Sequence, residues 1–326
     1  MEVSVIIPNY NGIAFLDSVL GSLEGQTARN FEVIFVDNGS TDGSCSFVAG
    51  NYSWVHIIEL PENYGFCRAV NEGIRAAKAP YVLLLNNDTE VAEDFVEQML
   101  SAIRRHKNAF SCAARMVQYH DRDRLDDAGN YYCALGWSFA RGKGKDIHTY
   151  EKEEQIFAAC GGAAIYRKKI LEKIGYFDEE HFAYLEDTDI GYRARIYGYE
   201  NWYAPEALVY HVGSGTSGSK YNPFKVKLAA RNNIYLNYKN MPLLQLAVNL
   251  VPILLGMGLK YMFFKKKGFG RDYAAGVKEG LATAKRCRKV PYSRERLKNY
   301  LAIEWELITG TLIYVYEFAA RQIAKL

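Results

Sequence analysis

The chain has 326 residues, of which 49% are hydrophobic and 24% charged, and its formal net charge at pH 7 is only +3. This length suits one large domain with an additional segment. Binding to nucleic acid depends largely on positive charge that neutralises its phosphates. The nearly balanced charge of this chain argues against such binding, and we expect no nucleic-acid partner. Lysine and arginine are concentrated in the last third of the chain, whereas most acidic residues precede residue 210.

The six cysteines are scattered and form no Cys-x-x-Cys pair, so neither a zinc site nor a redox motif is indicated. The first residues lack a basic segment followed by an apolar run, and we therefore expect no secretory signal. Free thiols suit a reducing compartment, which predicts a cytoplasmic protein.

Short apolar runs alternate with amphipathic segments over the first hundred residues. The predicted strands cover residues 3–8, 31–36, 55–60 and 81–85, and the predicted helices cover 13–23, 65–77 and 91–105, with another starting near residue 42. This alternation is typical of a parallel sheet with helices on both faces. Polar groups follow each strand, and because ligands bind beyond the carboxyl ends of such strands, we expect these groups to share one cleft.

Two of these polar groups contain acids with more than one interpretation. Asp37 follows a buried strand and could accept a hydrogen bond from a pyrimidine base, but taken alone the segment is better explained as a capped turn. Asp88 ends an apolar run and could bind Mg²⁺ or Mn²⁺, which prefer oxygen ligands and often bridge phosphates. A helix-capping turn explains Asp88 equally well.

Later segments are less regular. Residues 110–160 show no clear pattern, helices are predicted near 168–174 and 187–197, and a strand is predicted near 202–204. Asp189 and Arg193 have the spacing of a helical ion pair, which leaves Glu186 and Asp187 at the helix entrance. One of these two could be a general base, although an acidic first turn stabilised by the helix dipole is the alternative.

His211 ends an apolar strand, where a histidine is more often structural than a ligand. The glycine- and serine-rich residues 212–218 that follow could offer backbone N–H groups to a diphosphate. Gly162, in a Gly161-Gly162 pair, suits either the floor of a sugar site or tight strand packing.

These segments occur in the order found in the family 2 glycosyltransferases, which the chain resembles from residue 3 to about residue 242. The resemblance rests on Val5-Ile6-Ile7-Pro8-Asn9-Tyr10-Asn11-Gly12, Val36-Asp37-Asn38-Gly39-Ser40-Thr41-Asp42-Gly43, Asn63-Tyr64-Gly65-Phe66, Asn71-Glu72-Gly73, Leu85-Asn86-Asn87-Asp88-Thr89, Gly175-Tyr176-Phe177-Asp178-Glu179, Glu186-Asp187-Thr188-Asp189 and His211. It implies a GT-A fold, with a Rossmann-like mixed sheet flanked by helices and a C-terminal helical extension. The implied domains are a catalytic domain at 1–221, with a nucleotide-binding half at 1–109 and an acceptor half at 110–221, and a helical region at 222–326.

The same resemblance implies roles for individual residues. Asp187 would be the catalytic base of an inverting transfer, and Asp88 and His211 would bind Mg²⁺ or Mn²⁺. The implied contacts to a nucleotide-diphosphate sugar are Pro8, Tyr10, Asp37, Asn38, Asn63, Phe66, Asn71, Asn86, Asn87, Gly162 and Glu186. Many members of the family carry an acid at the position of Asn86, so the metal site here has one carboxylate fewer.

The processive members' Gln-x-x-Arg-Trp motif is absent, which argues against a polysaccharide polymerase. The Asn-Asn-Asp and Glu-Asp-x-Asp motifs resemble those of the rhamnosyltransferases that build bacterial surface polysaccharides. This resemblance implies dTDP-rhamnose as the donor and a glycan or polyprenyl-diphosphate-linked acceptor. Two alternatives stay open: a nucleotidyltransferase-like enzyme and a non-catalytic carbohydrate-binding protein. No GxxxxGK[ST] phosphate loop is present, which counts against a P-loop NTPase.

The C-terminal region contains a nearly continuous apolar stretch at 243–264, followed by Lys265-Lys266-Lys267. Its length approaches a membrane span, but basic residues favour the cytoplasmic side, where the catalytic domain is also expected. We therefore predict a helix in the plane of the membrane interface, or a hairpin with the apolar stretch 305–319. A homo-oligomer interface is an equal alternative for the same apolar surface.

Overall fold

A computed structural model describes residues 1–213 and 221–323, except for the side chains of residues 321 and 322. Within these ranges the strands are β1 (Val3–Asn9), β2 (Phe31–Asp37), β3 (His56–Glu59), β4 (Tyr81–Leu85), β5 (Thr89–Val91), β6 (Ala109–Gln118), β7 (Asp121–Asp127), β8 (Asn130–Cys133), β9 (Trp137–Ala140), β10 (Glu154–Ile156), β11 (Ala163–Arg167) and β12 (Glu200–His211). The α-helices are α1 (Ile13–Glu24), α2 (Ser44–Asn51), α3 (Phe66–Ala76), α4 (Phe95–Arg105), α5 (Lys168–Ile174), α6 (Glu186–Ile196), α7 (Pro223–Asn240), α8 (Leu243–Lys266), α9 (Gly270–Thr283) and α10 (Leu297–Ile323).

One mixed sheet has the strand order β10-β12-β6-β11-β4-β1-β2-β3, with β5 paired to β12 and β7 paired to β6. The strands β1 to β4 are parallel to one another, as the alternating pattern predicted. Because β11 is antiparallel to both β4 and β6, the strands β6 and β12 run in the same direction as β4. The carboxyl ends of β1, β2, β4 and β12 therefore lie at one edge of the sheet, and the predicted mixed α/β architecture is confirmed.

Alternating residues of β1 pack against helices on opposite faces of the sheet. Val5 and Ile7 belong to a buried cluster that includes Leu16 and Leu20 of α1. Ile6 points to the other face, where it lies against Gly73 of α3. Helices thus cover both faces of the parallel part of the sheet, and burial of these apolar side chains is the main stabilising contribution.

Two elements differ from the prediction in ways that matter for the site. The helix expected over 91–105 begins only at Phe95, because residues 89–91 form β5 and pair antiparallel with β12. The strand expected near 202–204 extends to His211, since β12 also pairs with β6 along most of its length. The three-residue strand β5 and the bulged strand β12 show little periodicity in the sequence. Their pairing nevertheless brings His211 beside the turn after β4.

The chain forms two compact units. The first comprises Met1–Asn130, Ala140–Ala194 and Tyr199–Lys220 and contains the mixed sheet. The second comprises Tyr131–Phe139, Arg195–Gly198 and Tyr221–Leu326 and contains α7 to α10. Among the described helices, α8 is long and apolar enough to cross a membrane by its length and composition.

Candidate active site

The turns after β1, β2 and β4 are joined by a row of side-chain hydrogen bonds. Asn9 Nδ2 donates to Asp37 Oδ1 at 2.9 Å, and Asn87 Nδ2 donates to Asn9 Oδ1 at 2.6 Å. Gly12 lies against this row, and an added Cβ would fall 2.6 Å from Asn9 Oδ1. Residues that are distant in the sequence thus meet at the carboxyl edge of the sheet, where ligands bind in this class of architecture.

Asp37 is buried and its carboxylate is held by protein groups on both oxygens, Asn9 on Oδ1 and the Ser40 backbone N–H on Oδ2. Pro8 is half-buried one residue before Asn9, and the Tyr10 side chain is exposed one residue after it. A fixed carboxylate thus lies near a proline and an exposed aromatic ring, and groups of these kinds can hydrogen-bond to a flat ring and stack on it.

The turn after β2 is connected to the loop before α3. Asn38 Nδ2 donates to Asn63 Oδ1 at 2.9 Å, and the Tyr64 backbone N–H donates to Asn38 Oδ1 at 3.0 Å. Gly39 has a φ of 76° and an added Cβ would lie 2.6 Å from the Glu62 backbone, so only glycine fits there. Asn38 and Asn63 therefore hold the turn after β2 against the loop before α3.

Asn71 in α3 forms hydrogen bonds with a different part of the chain from those of Asn38 and Asn63. Its side chain donates to the Phe177 carbonyl at 2.8 Å and to Glu179 Oε1 at 2.9 Å, and accepts from the Phe177 backbone N–H at 3.1 Å. Asn71 thus holds the segment that leads towards α6. The predicted contact of Asn71 with a nucleotide stays a prediction, and this hydrogen bonding indicates a structural role as well.

A second cluster joins the turn after β4 to the end of β12. His211 Nε2 lies 3.3 Å from Asp88 Oδ1, and His211 Nδ1 lies 2.8 Å from Asp126 Oδ2. Lys143 Nζ donates to the other oxygen of Asp126 at 2.6 Å. His211 therefore lies between two carboxylates, one on each ring nitrogen.

The charges of this cluster stabilise one another. Burial alone would lower the pKa of His211, but hydrogen bonds to Asp126 and Asp88 raise it to about 9. Burial would raise the pKa of Asp126, but the hydrogen bond from His211 and the charge of Lys143 lower it to about 2. The ionised carboxylate of Asp126 fixes the orientation of the imidazole so that Nε2 faces Asp88.

Asp88 and His211 fit a divalent cation as a partial ligand set once Nε2 of His211 has lost its proton, because a metal-bound imidazole is neutral. Two neighbouring ligands of an octahedral ion with bonds of about 2.1 Å lie roughly 3 Å apart, close to the 3.3 Å between Nε2 and Oδ1. A carboxylate on the other nitrogen of the histidine is the usual outer partner of a metal-bound imidazole. Among the described residues no three His, Cys, Asp or Glu side chains form a complete site, so phosphate oxygens and water would supply the remaining ligands.

Glu186 and Asp187 stand at the first turn of α6. Asp187 Oδ1 accepts from the Thr188 backbone N–H at 2.6 Å, and its Oδ2 accepts from Asn130 Nδ2 at 3.2 Å. The Gly161 backbone N–H is 3.4 Å from the same Oδ2. Asp189 forms the ion pair with Arg193 that the spacing predicted, at 3.0 Å and fully buried.

The backbone before this pair of acids is strained. Phe182, Tyr184 and Leu185 have φ values of 63°, 72° and 66°, in the left-handed region that non-glycine residues rarely adopt. Strained backbone of this kind persists only where the surrounding structure holds it, and it concentrates at functional sites. Here it sets the direction in which the first turn of α6 presents Glu186 and Asp187.

Burial also changes the acidity of this pair. Burial, and then the neighbouring charge of Asp187, raise the pKa of Glu186 to about 8. Burial raises the pKa of Asp187 as well, although its hydrogen bonds from Thr188 and Gly161 act in the opposite direction. Glu186 Oε2 is buried and has no hydrogen-bond partner among the residues that the structure describes, so the neutral form of Glu186 is favoured and Asp187 carries the charge.

Gly161 and Gly162 lie between the two clusters. The Asn86 backbone N–H donates to the Gly162 carbonyl at 2.8 Å, and an added Cβ on Gly162 would meet Asn86 Nδ2 at 3.2 Å. An added Cβ on Gly161 would lie 3.7 Å from both Phe66 and Asp187. Asn86, Phe66 and Asp187 thus border the same glycine pair. Of the glycine- and serine-rich loop predicted at 212–218, residues 214–218 lie outside the described part of the chain.

Among the described residues of the site, Asp126, Asp127, Asn130 and Lys143 were not identified from the sequence. Asp126 contacts His211 and Asn130 contacts Asp187, while Asp127 is buried and burial raises its pKa. They belong to the stretch 110–160 that shows no clear periodicity. The available signal was the acid pair Asp126-Asp127, which follows the charged run 121–124 after one leucine and lies just before Ala128-Gly129.

Comparison with known proteins gives concordant results. The family model described as Glycosyl transferase family 2 matches residues 4–175. A Mycobacterium tuberculosis protein named N-acetylglucosaminyl-diphospho-decaprenol L-rhamnosyltransferase is 26% identical over 237 residues, which are 66% of this chain and 77% of that protein.

Two solved structures share the architecture. Staphylococcus aureus TarS 1–349 in complex with UDP-GlcNAc superposes with a TM-score of 0.58 at 18% identity, over 87% of this chain and 81% of that one. A mannosyltransferase from Pyrobaculum calidifontis in complex with GDP-Man and Mn²⁺ superposes with a TM-score of 0.53 at 15% identity, over 97% and 87%. These likenesses identify the fold as GT-A with a C-terminal helical region.

Proposed function

We propose a specific reaction for this chain. The chain belongs to glycosyl transferase family 2 and is therefore a glycosyltransferase. The proposed reaction is the inverting, metal-dependent transfer of rhamnose from dTDP-rhamnose to a polyprenyl-diphosphate-linked glycan. The family membership sets aside a nucleotidyltransferase and a non-catalytic binding protein. The donor and acceptor are proposed from the motifs and from the rhamnosyltransferase relative, which is 26% identical. We propose the catalytic domain as residues 1–221, acting at the cytoplasmic face of the membrane where nucleotide sugars are available.

The observation that carries the proposal is the approach of Asp88 to His211 within 3.3 Å, at the sheet edge that also holds Asp37. Asp88 and His211 would hold Mg²⁺ or Mn²⁺, and a bound cation there neutralises negative charge that develops on a diphosphate. The base and ribose would lie between Tyr10, Asp37 and Asn38, where a carboxylate and an exposed ring are already fixed in position.

The chemical step rests on Asp187. Its carboxylate takes the proton of an acceptor hydroxyl, and the hydroxyl oxygen bonds to the anomeric carbon from the face opposite the diphosphate. The bond from that carbon to the diphosphate oxygen breaks, and its electron pair leaves with the nucleoside diphosphate. One displacement inverts the configuration, and the raised pKa of Asp187 makes its carboxylate a stronger base than an exposed aspartate.

A donor screen by thermal unfolding and turnover tests the proposal. A ligand at one hundred times its Kd stabilises the native state by about 2.7 kcal/mol, so we expect dTDP-rhamnose with Mn²⁺ or Mg²⁺ to raise the Tm by several degrees. UDP-GlcNAc and GDP-mannose are the matched controls, and a chelator should abolish most of the shift.

Each outcome of the screen is informative. A larger shift with another nucleotide sugar would exclude rhamnose as the donor sugar, and transfer that survives the chelator would exclude metal dependence. NMR of the product tests the mechanism, because retention of the anomeric configuration would contradict a single displacement at Asp187.

A further inference from the structure

The helix α8 has an inverted distribution of polar and apolar side chains. The buried residues of α8 include Gln245 and Asn249, whereas eleven large apolar side chains of the same helix are exposed by 41% to 78%. A helix in contact with water on its outer face has the opposite pattern, with leucines inside and amides outside. The exposed face of α8 is therefore more apolar than the face that it buries.

Polar groups hold α8 and α10 together. Asn249 Nδ2 donates to Glu304 Oε1 at 2.9 Å, and Gln245 Nε2 donates to Glu304 Oε2 at 3.0 Å. Gly256 and Gly310 lie against the backbone carbonyls of Leu135 and Tyr132, with no room for a side chain. Small residues and amide hydrogen bonds are the contacts used by helices that lie in lipid, because apolar side chains gain nothing from leaving it.

The exposed apolar side chains of α10 form one continuous face. Leu301, Trp305, Ile308, Leu312 and Val315 follow each other at spacings of three and four residues, and each is exposed by 46% or more. On α8 the residues Leu244, Val248, Val251, Leu255 and Met262 have the same kind of spacing and exposure. Such a contiguous apolar surface on a folded chain marks an interaction site.

Basic residues adjoin this surface. Residues 261–300 contain twelve lysines and arginines but only three acids, and Lys265, Lys266 and Lys267 at the end of α8 are all exposed. An apolar groove of about 700 Å³ between α8 and α9 has Tyr261 and Leu281 in its wall and Lys278 beside them. The positive charge thus borders exposed apolar side chains.

The position of α8 argues against a span across a membrane. Only Met241 and Pro242 separate the beginning of α8 from the end of α7. Near the other end of α8, the rings of Phe263 and Phe264 lie 5.8 and 5.7 Å from the ring of Tyr221, which precedes α7. Both ends of α8 therefore adjoin α7, which carries the charged side chains Lys225, Lys227 and Arg231. A helix with these charges alongside α8 is incompatible with a bilayer interior.

We infer that the exposed faces of α8 and α10, together with the basic segment 261–300, form a docking surface that lies in the interface of an anionic lipid bilayer. An apolar face with basic residues around it is how helices bind at such an interface. A second copy of the chain is a poorer occupant, because a two-fold contact would bring the same basic segments of both copies together. The inference does not depend on the identity of the donor or the acceptor.

Co-sedimentation of the full chain with lipid vesicles tests the docking surface. We expect the protein to bind vesicles of phosphatidylcholine mixed equally with phosphatidylglycerol, and to bind pure phosphatidylcholine vesicles much less. Changing Lys265, Lys266 and Lys267 together to Gln should reduce binding to the anionic vesicles by at least about tenfold. The matched control changes Lys78, Lys107 and Lys152, three exposed lysines of the first unit, to Gln and should bind as the wild type does.

A second variant tests the apolar part of the surface. Val251→Gln with Leu255→Gln changes two exposed positions of α8 and should also lower vesicle binding by at least about tenfold. Trp54→Gln, at an exposed aromatic residue of the first unit, is its control. Circular dichroism checks that each variant is folded.

Three results would overturn the inference. The first is a wild-type chain that does not bind anionic vesicles, and the second is equal loss of binding in the two triple-lysine variants. The third is a wild-type chain that is oligomeric in sedimentation velocity and does not bind vesicles, and whose oligomer dissociates when Val251→Gln and Leu255→Gln are introduced together. A second copy of the chain would then cover the surface.

Discussion

The residues of the site are kept in place by contacts within the protein that exist before any ligand arrives. Asp187 accepts hydrogen bonds on both oxygens, and His211 has a carboxylate at each ring nitrogen. Prepositioned groups of this kind do not have to reorganise during a reaction, which is where much of the catalytic effect of an active site originates. The roles proposed for Asp187 and for Asp126 can be tested separately.

Replacing Asp187 by Asn should reduce transfer by about 10²- to 10⁴-fold, the usual contribution of a general base, because the amide cannot take the proton of the acceptor. Donor affinity should stay within about twofold of wild type, since Asp187 is not proposed to bind the diphosphate. Steady-state turnover and calorimetric donor titration measure the two effects. Asp123→Asn, at an exposed acid of β7, is the control, and equal turnover of the two variants would remove Asp187 from the chemical step.

Replacing Asp126 by Asn should weaken Mn²⁺ binding by about 10- to 100-fold, the usual effect of losing an outer carboxylate behind a metal-bound histidine. The change removes the charge that orients His211 and leaves Asp88 and His211 in place. Titration of Mn²⁺ followed by electron paramagnetic resonance measures the affinity without a turnover assay. Lys143→Gln removes the other partner of Asp126 together with a positive charge. This variant should therefore bind Mn²⁺ as tightly as wild type or more tightly. Weaker Mn²⁺ binding by Lys143→Gln would contradict the role assigned to Asp126.

At the scale of secondary structure, the helices and strands with strong periodicity are the ones whose positions follow from the sequence. The predicted helix at 13–23 and strand at 81–85 agree with α1 and β4 within one residue. Val91 was assigned to the start of the helix 91–105 because it continues an apolar pattern, yet residues 89–91 pair with β12 and form a strand. Tertiary pairing overrides local preference most readily in short segments.

Packing of α3 on β1 gives a prediction for one helix. Gly73→Ala would place a methyl group on Ile6, and we expect the free energy of unfolding to fall by about 1–3 kcal/mol, as for overpacked cores. Gly50→Ala in α2 is the control, because no heavy atom lies within 4 Å of the added Cβ. That variant should be neutral or more stable by up to about 1 kcal/mol. Urea unfolding measures both, and equal midpoints would show that α3 can move away from β1.

For the molecule as a whole, buried acids make stability depend on pH. The pKa of Glu186 is raised to about 8 in the folded chain from an ordinary value of 4.5, so folding favours its protonated form. The corresponding stability is complete below pH 4.5 and is lost as the pH rises towards 8, because the unfolded chain releases the proton more readily.

Glu186→Gln should therefore gain stability relative to wild type as the pH increases. Gln resembles the protonated acid, so the two proteins should have similar Tm values near pH 4.5, and the variant should have the higher Tm above pH 8. Thermal unfolding of both proteins over this range, with a chelator present, measures the difference, and titrating groups far from Glu186 cancel in the comparison. A difference that is constant across the range would mean that Glu186 is ionised in the folded chain.

The sequence by itself determined the alternating strand-helix architecture, the turns that carry Asp37 and Asp88, and the family, because each depends on local periodicity or on motifs of a few adjacent residues. The tertiary structure alone decided that His211 meets Asp88 and Asp126, and that Asn130 contacts Asp187, because these contacts join residues 57 to 123 positions apart through sheet pairing. It also decided which side of α8 faces outward. Composition identifies an apolar helix, but only the position of its neighbours shows that the amides of Gln245 and Asn249 are inside and the leucines outside.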